Sequence, residues 1–112
     1  MKMRTSELQG AALDWAVATC EGGYDERDFI VRGYKYTTPN YSTDWAQGGP
    51  IIERECINLF RLDPKTEDDT RFWLAHIDGI YCRYGVSAIV AAMRCYVAMK
   101  LGDEVEIPEE LK

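Results

Sequence analysis

At 112 residues, 46% hydrophobic and 12% aromatic, the chain has room for one core, and its composition excludes a disordered, collagenous or coiled-coil protein. Nineteen acids against thirteen bases give −6, and the excess is uneven: Asp103, Glu104, Glu106, Glu109 and Glu110 against Lys112 leave −4 on the last ten residues and −2 on the rest. With no basic stripe, general binding to duplex nucleic acid is disfavoured, while a small phosphate-bearing ligand held by two or three arginines remains open.

Ser6 and Gln9 have capping-box spacing, and Leu8, Ala12, Trp15, Ala16 and Thr19 recur at helical spacing, so a first helix is expected to about Cys20. Glu7, Gly10, Asp14 and Glu21 form its opposite, solvated stripe, and Gly22-Gly23 end it. The β-branched and aromatic stretch Asp28 to Thr38 reads as a strand. Thr38 to Pro50 has turn chemistry at both ends and reads as an ordered loop. Pro50 then opens a helix of one or two turns over Ile51 to Cys56.

Strands are expected at Cys56 to Leu62 and Phe72 to Ile77, paired as a hairpin across the acidic Asp63 to Thr70 stretch. Asp78-Gly79 turns the chain into a fourth strand, Ile80 to Arg83. The last helix is the clearest. Ser87 is its N-cap, Val90, Met93, Val97 and Leu101 line one face, Arg94 and Lys100 face solvent, and Gly102 stops it. Residues 103–112 form an extended acidic arm, either solvated or docked on a neighbouring subunit through Ile107 and Leu111. The architecture expected is α+β: one domain, a small antiparallel sheet of three or four strands, with an N-terminal and a C-terminal helix packed on it.

The longest apolar run, Val86 to Met93, is eight residues, far short of a span, and Glu7 and Asp14 interrupt any signal core, so cytoplasmic residence is expected. Cys20, Cys56, Cys82 and Cys95 lack metal or dithiol spacing and read as packed free thiols. His76 with Asp78 lacks a nucleophile in fixed relation and reads as structural. No metal or cofactor is expected.

The block from Tyr41 to Glu53, with Arg54 next to it, carries the most binding chemistry. Ser42, Thr43 and Asp44 offer hydrogen bonds, Tyr41 and Trp45 flat faces and Gln47 an amide. Gly48 and Gly49 offer bare N–H groups at a helix mouth, with Glu53 and Arg54 beyond them. A turn that merely plugs the core has the same composition. Arg27, Arg32, Arg54, Arg83 and Arg94 are scattered, able to clamp a phosphate only where the fold gathers them.

Three stretches, Lys2 to Ala18, Tyr41 to Glu53 (YSTDWAQGGPIIE) and Ala91 to Leu111, together resemble the phage NinX family. Family members read Gly-Pro-Thr-Pro-Leu before the last helix, where this chain has Gly85-Val86-Ser87-Ala88-Ile89. The resemblance implies a phage accessory protein acting in the host cytoplasm, without implying a catalytic activity, and it raises the Tyr41 to Glu53 block as a ligand pocket. The expectation is a non-enzymatic, homodimeric binder of a small polar ligand, by analogy one that sequesters a nucleotide-derived host immune signal. The alternative is a module that binds a host or phage protein.

Overall fold

The Ala-rich C-terminal stretch forms the central helix, and the computed structural model, which describes residues 1–22 and 40–111, builds the core around it. This helix, α3 (Ala88–Leu101), begins where the Ser87 hydroxyl accepts the Val90 N–H at 3.2 Å, a cap that contributes about 1 kcal/mol, and stops at Gly102, as its sequence predicts. Its burial departs from a single stripe. Ile89, Ala91, Ala92, Met93, Cys95, Tyr96, Val97 and Ala98 are all buried, Val90 is half-buried and Leu101 is exposed. A helix apolar nearly all round is covered on several sides, and α3 carries a sheet on one side and two helices on others.

That sheet is antiparallel, ordered β2 (Asn58–Arg61), β3 (Trp73–Ile77), β4 (Ile80–Gly85), with Leu59 opposite Ala75 and Ala75 opposite Arg83. Ala75 is fully buried on the face that receives α3. The expected hairpin, its acidic connection and the following strand are all present. Asp78 and Gly79 both take positive φ, 52° and 79°, the type I′ geometry that suits a tight hairpin. At the far end of β4, a Cβ on Gly85 would lie 2.5 Å from the Ala91 nitrogen, so glycine lets the strand run beneath the first turn of α3.

The first helix, α1 (Gly10–Cys20), starts later than the capping-box spacing suggests, because Ser6 lies in a single 3-10 turn, Thr5–Glu7. Its wet stripe also fails at Asp14. The side chain is 5% exposed, because the Tyr41–Thr43 turn folds over it and the Ser42 N–H donates to its carboxylate at 2.9 Å. That contact spans 28 residues and has no local signal. α1 reaches the sheet through α3, against which it packs.

The acidic arm docks on its own chain. β5 (Glu104–Glu106) pairs antiparallel with β1 (Lys2–Arg4), Thr5 donates its N–H to the Asp103 carbonyl at 2.9 Å, and Ile107 and Leu111 are buried. Both earlier alternatives, a solvated end and a partner-docked one, give way to this second, two-stranded sheet. The strand expected over Asp28–Thr38 lies outside the described residues, as do Gly23, Arg27 and Arg32. Among the described residues no helix is long and apolar enough to cross a membrane.

Candidate functional site

The Tyr41–Arg54 block is mostly helix. Asp44, not Pro50, starts it: α2 runs Trp45–Arg54 through Gly48, Gly49 and Pro50. One Asp44 carboxylate oxygen accepts the Ala46 N–H at 2.9 Å, and the other accepts the Gln47 amide at 3.0 Å. The Gln47 side-chain oxygen in turn accepts the Asn40 N–H at 2.9 Å. This ring fixes the turn and the first helical turn together, so Pro50 enters a helix already nucleated and removes only one donor.

The fold spends most of the block's polar groups in this way. Gly48 donates its N–H to the Asp44 carbonyl at 2.9 Å, so it is not bare, and a Cβ there would lie 2.5 Å from the Tyr41 carbonyl oxygen and 2.7 Å from Ile89. Ser42 is buried against Asp14, and Tyr41 packs at the edge of the core. Arg54 joins Glu21 through two bonds of 3.1 and 2.7 Å, bonds Glu55 at 2.7 Å and reaches the Tyr96 hydroxyl, which itself donates to Glu21. Arg54 holds the Glu21 carboxyl below its ordinary range, while burial and the Glu21 carboxylate push the Tyr96 phenol up. Thr43, Trp45 and Glu53 face solvent, with the Trp45 ring over Gly49 and 53% of its surface exposed.

His76 is engaged locally, its Nδ1 accepting the Gly79 N–H at 2.9 Å and its ring stacked 5.3 Å from Phe60. Packed thiols hold for Cys95, and Cys20 is half-buried, with its thiol pushed up to about 12 by burial. Cys56 and Cys82 are instead exposed, because each follows or occupies a positively turned or edge segment rather than an inner strand face. Among the described residues no three His, Cys, Asp or Glu side chains gather as a metal site.

A groove of about 820 Å³ lies elsewhere, between the open edge of β4 and the β1–β5 sheet. It gathers Arg4, Arg71, Arg83 and Arg94 against Asp103 and Glu104, a surplus of two positive charges on a chain of net −6. Arg83 and Arg94 meet the condition the sequence left open, that the fold bring scattered arginines together. Arg4, Arg71 and Tyr84 were missed, because the groove draws on β1, the β2–β3 connection, β4 and α3, and no local pattern links them.

The four cations are not equivalent. Arg83, 16% exposed, spends its guanidinium on the Thr5 hydroxyl, the Cys82 carbonyl and the Asp103 carboxylate, the last at 2.7 Å. Arg71 is gripped by Asp69 at 2.9 and 3.0 Å. Arg94, expected in solvent, is half-buried. Its Nε and Nη1 donate to the Leu8 and Tyr84 carbonyls at 2.7 and 2.8 Å, which ties α3 to the edge of β4. Among the described residues no carboxylate lies within ion-pair distance of Arg94 or Arg4, and the second terminal nitrogen of Arg94 has no partner. Burial pulls the Arg94 guanidinium below the ordinary arginine value, yet it remains cationic at neutral pH. A half-buried cation without a counter-charge, with unspent donors facing a groove, favours an anion there.

Comparison with known proteins separates family from chemistry. No curated protein matches the chain. The family model described as bacteriophage P22 NinX matches residues 4–100, which include both the Tyr41–Arg54 block and most of the groove. The chain therefore belongs to the phage NinX family.

Proposed function

We propose that the protein is a non-enzymatic binder of a small phosphate-bearing ligand, seated in the arginine groove. The observation that carries this reading is Arg94, a half-buried cation with spare donors and no carboxylate, opening onto a surface where cations outnumber acids. Arg94 and Arg4 would meet phosphate oxygens, with the Ser6 and Thr70 hydroxyls at the rim. Charge-assisted bonds of this kind contribute about 1.5–3 kcal/mol each, enough to hold a small ligand without turnover. In a phage protein, such binding would serve to withdraw a nucleotide-derived immune signal in the host cytoplasm.

The test is native mass spectrometry of the protein before and after exposure to small-molecule extracts of phage-challenged cells. A discrete added mass, weakened in Arg94→Lys and in the exposed Arg4→Gln but kept in Trp45→Ala, supports the groove. A mass lost only in Trp45→Ala returns the site to the Tyr41–Arg54 block.

A second reading, a protein-interaction module, rests on the exposed apolar side chains Trp45, Phe60, Ile80 and Val86. The same exposed side chains are the ground for a homodimer. Sedimentation of a monomer at micromolar concentration would refute the dimer, and no added mass with any variant would favour a pull-down for a protein partner.

A further inference from the structure

The groove meets a second feature that inorganic phosphate would leave unused. Tyr84 is 43% exposed on β4, and the Arg71 guanidinium lies 5.4 Å from its ring centroid. Asp69 accepts the Arg71 backbone N–H as well as two of its side-chain donors, so this exposed cation is held in one orientation over the ring. The pair borders three depressions, the groove itself and two neighbours of about 490 and 300 Å³. In the smallest it shares the walls with Arg94, Gln9 and Thr70.

Resting on the groove reading above, we infer that the site selects a free phosphate ester carrying a planar heteroaromatic ring, the chemistry of a nucleotide. The Tyr84 backbone is what places the two halves side by side: its carbonyl accepts from Arg94, and its ring carries Arg71. A phosphate on Arg94 sets an attached ring within reach of the Arg71–Tyr84 stack, where both a guanidinium plane and an aromatic face receive planar rings. The Gln9 amide and Thr70 hydroxyl border the same depression and can meet the ring's polar edge. A sugar phosphate satisfies the cation but leaves the platform empty.

Isothermal titration of the full chain at low salt, with adenosine monophosphate, ribose 5-phosphate and inorganic phosphate, tests this. The expected result is that the nucleotide binds roughly tenfold tighter than the sugar phosphate, the scale of one stacked base. Tyr84→Leu and Arg71→Gln should each shrink that ratio, and Arg94→Lys should weaken both esters. Equal affinities in the wild type, with both lowered by Arg94→Lys, would overturn the ring-selecting platform and leave the anion site standing. No binding of any probe, or binding indifferent to Arg94→Lys, would overturn both.

Discussion

The Tyr41–Arg54 block and the arginine groove are opposite uses of polar side chains. In the helix region Asp44, Gln47, Asn40 and Gly48 close their hydrogen bonds on one another, and Arg54, although exposed, is bonded to Glu21, Glu55 and Tyr96. In the groove Arg94 keeps donors unspent and Arg4 has no ion-pair partner among the described residues. A run of residues with binding chemistry thus closes its hydrogen bonds within the fold, while unspent cationic donors lie where arginines from four separate segments converge. Polar residue type identifies potential partners, and the accounting of donors and acceptors decides which remain available.

The contrast can be broken most forcefully at Gly48. Gly48→Ala forces a Cβ against the Tyr41 carbonyl and Ile89 and should cost about 1–3 kcal/mol in denaturant unfolding. A variant as stable as wild type would show that the block does not need its tight packing. Glu21→Gln comes next, at about 1 kcal/mol near pH 7, since it removes a paired carboxylate that is mostly buried. Because Arg54 lowers the folded pKa of Glu21, this stability is present above the ordinary value of 4.5 and disappears as pH falls through the folded value. Wild type and variant should therefore converge in acid, and a gap that persists unchanged would assign the loss to packing.

Asp14→Asn sharpens the comparison with the opposite sign. Burial raises the Asp14 pKa above 3.8, so its ionisation weakens the fold as pH rises past that point. Asparagine keeps an acceptor for the Ser42 N–H and carries no charge. The variant should gain stability on wild type as pH rises from the ordinary value of 3.8 through the folded value, read by denaturant unfolding across that range, and a constant difference would contradict it. Smallest of all, Trp45→Ala should change stability by no more than about 0.5 kcal/mol, because most of the ring is already in water.

Much of the fold was legible. Ser87 and Gly102 bracket α3 because capping is a local chemistry, and Asp78-Gly79 turns β3 into β4 because the required backbone angles are local too. The start of α2 was obscured by Gly48-Gly49-Pro50, which resemble helix breakers. The Asp44 and Gln47 spacing, itself a capping pattern, carried the correct boundary. Burial of Asp14, docking of the 103–112 arm on β1 and half-burial of Arg94 all depend on contacts between distant segments, so neither periodicity nor residue type shows them. The groove was invisible for the same reason, apart from the two arginines already marked as able to converge.

The most direct measurement uses Cys82, an exposed thiol in the groove wall, as its reporter. In a Cys56→Ser background, which removes the other exposed thiol, the alkylation rate of Cys82 is followed with and without saturating adenosine monophosphate, and saturation is verified by native mass spectrometry. A phosphate ester seated against Arg94 and Arg4 predicts severalfold slower alkylation, with protection lost in Arg94→Lys at the same ligand concentration. Full occupancy with an unchanged Cys82 rate would contradict the account and move the ligand out of the arginine groove.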